Sequence, residues 1–396
     1  MTDLKLPLSP LTQRLSGRRS RAWDVTNRAI QMERDGREII HLGVGDPDFD
    51  TPADIVSTAV ASLKDGRTHY SPIPGETDLR AAIAEESTQQ IGVPVGSSQV
   101  SVFPGAQCAL FATLLCLAGP DDEVILLEPF YATYEGVARS GGANVVTVPL
   151  PADKQFDLDI ELIANAMTSK TSVILANSPG NPSGAVFSRG SWESLVSLCV
   201  DKGVWLISDE VYSNLVFDGE HHSPLGLPGA GKNVVVVNSV SKSHAMTGWR
   251  LGWCIAPESL TAHLGNLAQC LLFGVSQFIQ DAAAFALRES HASVAAMKEA
   301  FHSRRDVLCD RLGVIDELVV HKPAGGMFVM VDVSRLGCDG EEFANRLLDH
   351  SGVAVVPGFA FGDSARNYVR IGFLTKEAEL RKAADKINNF VSGFYA

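Results

Sequence analysis

From about residue 99 to 257, short apolar, β-branched runs alternate with stretches of mixed polarity. The runs are QVSVF, EVILLEP, NVVTVPL, TSVILANSP, VWLISDE, NVVVVNS and WCIAP. Their apolar positions are continuous rather than alternating, the pattern of strands covered on both faces. Between several of them lie amphipathic segments, such as SRGSWESLVSLCVDKG from Ser188 to Gly203, which predict helices. The alternation predicts an α/β fold, a mostly parallel seven-stranded sheet sandwiched by helices.

After residue 290 the texture changes. SVAAMKEAFHSRRDVLCDRL reads as one long helix. ELVVHKPAGGMFVMVDV, VAVVPG and YVRIGF read as strands, with further helices at 340–349 and 376–394. This predicts a smaller α+β domain over 291–396 beside a large domain over 44–290. Residues 1–43 are too few to fold alone and are expected to pack with the small domain.

Composition narrows the class. The chain has 396 residues, 45% hydrophobic and 20% charged, as in a globular enzyme. Its net charge of −13 argues against a general nucleic-acid binder, which needs a basic face. No stretch reaches the roughly 18 apolar residues of a membrane helix, and the N-terminus lacks the apolar centre of a signal peptide. Seven cysteines without a C-x-x-C pair read as reduced thiols in a cytoplasmic protein.

Parallel sheets bind ligands at the carboxyl ends of their strands, which makes those ends the place to seek chemistry. After VSVF, residues Gly105, Ala106 and Gln107 open a helix whose N-terminus can face an anion. After EVILLEP comes Tyr131, an aromatic able to lie over a flat ring. NSPGNPSG at 177–184 is a rigid loop carrying the amide of Asn181. After VWLIS come Asp209 and Tyr212, and after NVVVVNS come Ser239, Ser241, Lys242 and Arg250. Singly these are an ordinary glycine turn, a packed aromatic, a plain loop and solvated charges. Adjacent His221 and His222 read as a solvated turn, with no third residue at metal spacing.

Together they suit one ligand, pyridoxal 5′-phosphate. Its aldehyde needs an amine that can deprotonate, the part of Lys242. Its ring nitrogen needs an acid, Asp209. Tyr212 and Asn181 would donate to the phenolate oxygen, and Tyr131 would stack on the ring. Arg250, Ser239, Ser241 and the helix start at Gly105 would hold the phosphate, arginine supplying a bidentate fork.

LGVGDPDFDTP (42–52), HYSPIPGETDLRAAIA (69–84), NSPGNPSG, SDEVY, SVSKSHAMTGWRLGW and NYVRIGF occur in one order along the chain. In this set the sequence resembles the class I, fold-type I aminotransferases similar to aspartate aminotransferase, from about Trp23 to Phe394. The resemblance implies ping-pong transfer of an amino group from an L-amino acid to a 2-oxo acid. It also implies that Arg370, with Gly43 and Asn181, clamps the substrate carboxylate. Tyr70 would reach the phosphate of a neighbouring subunit, in a homodimer with shared active sites. GAQCAL, EPFYATYE, WLISDEVYSNLVFDGEH and FIQDAA resemble the bacterial arginine–pyruvate transaminases. Aspartate-selective relatives place a lysine where this chain has neutral Gln107, so a cationic donor such as arginine, with pyruvate as acceptor, is the preferred expectation. Alternatives are an aspartate or aromatic aminotransferase, or a carbon–sulfur β-lyase on the same fold. SVSK also fits the S-x-x-K acyl-serine motif, but no K-T-G occurs downstream. A transcription regulator would need a DNA-binding module that residues 1–40 are too short to supply.

Overall fold

The computed structural model describes residues 7–15 and 22–394. Its strands are β1 (Ile40–His41), β2 (Val100–Phe103), β3 (Glu123–Glu128), β4 (Asn144–Pro149), β5 (Thr171–Asn177), β6 (Trp205–Asp209), β7 (Val234–Ser239), β8 (Gly252–Ile255), β9 (Val319–His321), β10 (Phe328–Asp332), β11 (Val353–Ala354), β12 (Val356–Pro357) and β13 (Tyr368–Gly372). All seven apolar runs between residues 99 and 257 fall in one sheet, of order β2-β8-β7-β6-β5-β3-β4. Strands β4, β3, β5, β6 and β7 are parallel. Strand β8 runs antiparallel to both β7 and β2.

Apart from the edge strand β4, which is largely exposed or half-buried, both faces of this sheet are buried, and the strands show why their sequences are so apolar. Val124 and Leu126 of β3 face one core, while Ile125 and Leu127 face another. Val173 and Leu175 alternate in the same way with Ile174 and Ala176 on β5. A strand with period-two side chains and helices on either side has no polar face to spare.

The covering helices end where local chemistry stops them. Arg189–Lys202 begins after Ser188, whose hydroxyl accepts the Ser191 N–H, and ends at Gly203 in the left-handed region, φ 68°. Trp192 of this helix is fully buried against Phe187. Trp192→Ala is expected to lower stability by about 3–5 kcal/mol, read as a fall in the urea midpoint with an unchanged slope.

A second, four-stranded antiparallel sheet has the order β12-β13-β10-β9. Its core joins the helices His291–Leu312, Gly340–Ser351 and Glu377–Ser392. The single run VAVVPG divides between two sheets: β11 pairs in parallel with β1, while β12 pairs with β13. Periodicity could not reveal that division, because Val353 to Val356 are buried throughout. Near the N-terminus, the helix Pro10–Leu15 lies against Tyr134–Ser140, and Asp24–Arg34 lies against Gly340–Ser351. The same chain end therefore touches both layers.

Candidate active site

Five strand ends of the seven-stranded sheet meet two strands of the smaller sheet, β10 and β13, around a cavity of about 270 Å³. Strand β7 runs into the short helix Val240–Ser243, which carries Lys242. The Ser239 hydroxyl caps this turn by accepting the Ser241 N–H at 3.2 Å. Lys242 Nζ donates to the Gly45 carbonyl at 2.5 Å. Burial pulls its ammonium down to about 8; Asp46 opposes this, while Arg370 and Arg250 reinforce it. A lysine normally charged to above pH 10 is thereby brought close to the neutral, nucleophilic form.

Asp209 closes β6 and is buried. Its Oδ2 accepts the Tyr134 hydroxyl at 2.5 Å and its Oδ1 accepts the Val211 N–H at 3.2 Å. Burial raises its carboxyl to about 6, although the Tyr134 and Val211 bonds hold it back. Such a carboxylate favours a cationic partner in the cavity it borders. Tyr134 was not singled out in the sequence. Its spacing of three from Tyr131 was the available signal, and the two rings meet edge to face at 5.7 Å.

One end of the cavity is built by close approach. Gly105 caps the helix Ala106–Leu117 with φ 83°. A Cβ there would lie 2.4 Å from Arg250 Nη2, so only glycine lets the guanidinium sit over the helix start. The Gly105 carbonyl takes the N–H groups of both Cys108 and Ala109; those of Ala106 and Gln107 precede these bonds at the positive end of the helix. Arg250 Nη1 donates to the Thr247 carbonyl at 2.6 Å. Ser239 and Ser241 hydroxyls border the same end. This cradle of glycine, helix start, guanidinium and two hydroxyls fits a phosphate dianion.

Opposite lies Arg370 on β13, completely enclosed. Its Nη1 donates to Asn181 Oδ1 at 2.9 Å and its Nη2 to the Gly43 carbonyl at 2.5 Å. Its Cζ stands 3.9 Å from the Phe328 ring centroid and 4.9 Å from that of Phe361. Nε finds no partner among the described residues. A buried guanidinium meeting only neutral oxygens is an anion site. Asn181 ties it to the rest of the cavity by donating to the Tyr212 hydroxyl at 3.3 Å. Asn177, also absent from the sequence-based set, holds this corner: it donates to the Asp209 carbonyl and accepts the Asn181 N–H.

Thus Ala106, Gln107, Tyr131, Asn181, Asp209, Tyr212, Ser239, Ser241, Lys242, Arg250 and Arg370 border one cavity, with Gly43 and Gly105 supporting it. Tyr70 does not. It is 80% exposed and pairs with Phe273, ring centroids 5.0 Å apart, beside a separate recess. Trp23, Val44, Thr247 and Phe328 also border the cavity; none had been singled out.

The family of class I and II aminotransferases matches residues 37–387. An arginine–pyruvate transaminase of Pseudomonas aeruginosa is 48% identical, over 96% of each chain. An aspartate/prephenate aminotransferase of Thermus thermophilus is 35% identical, over 91% of this chain and 93% of its own. The aspartate aminotransferase of Thermus thermophilus with maleate superposes with a TM-score of 0.92 at 34% identity, covering 97% of this chain and 99% of that one. With a deprotonation-prone lysine, a buried acid, an anion cradle at a helix start and a buried guanidinium bordering one cavity, this chain belongs to the class I and II aminotransferases, pyridoxal-phosphate enzymes that exchange amino groups between amino acids and 2-oxo acids.

Proposed function

We propose that the protein transfers the amino group of an L-amino acid, arginine above others, to pyruvate. The observation that carries this reading is the 48% identity, end to end, with an arginine–pyruvate transaminase. Neutral Gln107 supports it: the Thr133 hydroxyl donates to Gln107 Oε1 at 3.0 Å, and this wall offers a distal carboxylate no counter-charge. A donor screen with pyruvate and with 2-oxoglutarate tests the reading. Arginine with pyruvate should give the highest kcat/KM among arginine, lysine, aspartate, glutamate and phenylalanine, with alanine compared on 2-oxoglutarate because alanine with pyruvate gives no net reaction. Aspartate with 2-oxoglutarate ranking first would overturn it, and ammonia in place of alanine would indicate a β-lyase.

The residue roles proposed for the reaction rest on the geometry. The phosphate would rest on Arg250, Ser239, Ser241 and the N–H groups after Gly105. Asp209 would keep the proton on the ring nitrogen, its charge supported by Tyr134. Tyr212 and Asn181 would donate to the ring oxygen, and Tyr131 would cover the ring. When bound, pyridoxal phosphate supplies an electrophilic aldehyde carbon and a cationic ring that accepts the electron pair released at the substrate Cα. Arg370 would hold the substrate carboxylate and orient the Cα–H bond toward Lys242, whose neutral Nζ takes that proton.

The depressed lysine gives a pH dependence. Only neutral Nζ attacks an aldehyde, so cofactor capture by cofactor-free protein should be slow at pH 6 and level off above pH 9. The midpoint should lie near pH 8. Asp46→Asn should move it downward, because the Asp46 charge favours the ammonium. Stopped-flow absorbance of the capture step measures both.

Shared active sites in a homodimer are part of the same proposal. Exposed Tyr70 and Phe273, with Leu271 nearby in sequence, form an apolar surface suited to a second copy. The divisions at residues 43 and 290 are proposed as the boundaries of the N-terminal segment and the two domains. No helix among the described residues is long and apolar enough to cross a membrane. Seven free cysteines support a reducing, cytoplasmic setting.

A further inference from the structure

A cationic donor raises a question that the site leaves open. With the α-carboxylate on Arg370 and Cα under Lys242, the donor's side chain must run along the remaining walls of the cavity. Those walls include Trp23, Val44, Gln107 and Tyr131. Among the described residues bordering the cavity the one carboxylate is Asp209, and it is already bonded to Tyr134 and Val211 beneath the pocket. Among the described residues of one protomer, then, no bordering acid is free to pair with a guanidinium.

Trp23 offers the alternative. It stands at the start of the helix Asp24–Arg34, half-buried, and rests on the cluster of Ala22, Val356, Ala360 and Phe361. Phe361 is also the second aromatic wall of Arg370, so the indole is seated beside the carboxylate clamp. Val44 is next in the chain to Gly43, whose carbonyl Arg370 engages. The aliphatic stem of a long side chain can lie along Val44 and place its planar head on the indole. Guanidinium is weakly hydrated and stacks on aromatic faces, tryptophan best.

Resting on the arginine reading above, we infer that Trp23 is a specificity-determining residue that receives the donor's guanidinium by a cation–π contact. The site would then select a cationic donor without a dedicated carboxylate from the same protomer.

The test uses the holoenzyme with 2-oxobutyrate as acceptor, because alanine with pyruvate gives no net reaction, and three donors: L-arginine, its neutral near-isostere L-citrulline, and L-alanine. Trp23→Leu should lower kcat/KM for arginine by about 5- to 30-fold, the equivalent of about 1–2 kcal/mol, chiefly through KM. Citrulline and alanine should fall much less. Trp23→Phe should keep most of the arginine activity. Visible absorbance of the cofactor-loaded Trp23→Leu protein equal to that of wild type is the control for folding and cofactor loading. The inference is overturned if arginine is unaffected, if arginine and citrulline fall together, or if all three donors fall together. Failure of the wild-type enzyme to use arginine would instead sink the donor assignment, and this inference with it.

Discussion

Lys242→Ala is expected to lower transaminase turnover by roughly 10⁴-fold, the upper range for loss of a positioned acid–base group. The variant should also lack the visible absorbance of the cofactor-loaded protein, since Lys242 is the one lysine among the described residues bordering the cavity. Lys242→Arg separates charge from chemistry. It keeps a cation in the same place, but a guanidinium does not deprotonate, so it should be as inactive as alanine. The measurements are a coupled alanine-formation assay and an absorbance spectrum after cofactor soaking. A variant that retains both the band and turnover would remove Lys242 from the reaction.

Arg370→Ala carries the second large effect, and it should look different. Loss of a buried, hydrogen-bonded charge partner costs about 3–4 kcal/mol, or roughly 10²- to 10³-fold in kcat/KM. The loss should be shared by the amino donor and the 2-oxo acceptor, because both bring an α-carboxylate. The visible band should survive, since Arg370 is assigned to substrate rather than cofactor. Arg370→Lys should recover little. A point ammonium cannot span the Asn181 Oδ1 and Gly43 carbonyl oxygens that the fork bridges. Equal activity toward an amine lacking a carboxylate, in wild type and variant, would complete the signature. A selective loss for the donor alone would contradict the clamp.

Much of the seven-stranded layer was legible because burial on both faces leaves a continuous apolar imprint, as in NVVVVNS and TSVILANSP. Strand ends are local features, so Asp209, Ser239, Ser241 and Lys242 were visible as the polar residues that close or succeed an apolar run. The helix over Arg189–Lys202 was readable because Ser188 and Gly203 cap it through their own chemistry. Shorter pieces were not. β1 is two residues long and exists only because β11 lies beside it. Asn177 sits inside its strand run, and its role comes from reaching the Asp209 carbonyl on the neighbouring strand. Tyr134 gave no more sign than any aromatic on a helix until its hydroxyl was found on Asp209.

The sequence by itself determined the layer of buried parallel strands, the residue types waiting at their ends, and the order of the motifs. These depend on side-chain period, capping and turn chemistry, all of which act over a few residues. Tertiary structure alone decided which groups share a cavity. It brought Arg370 from the smaller sheet and Trp23 from the chain's beginning to the rim of a site that β5, β6 and β7 build. It also set the charge on Lys242 and Asp209, because desolvation acts only once distant segments have packed around them and excluded water.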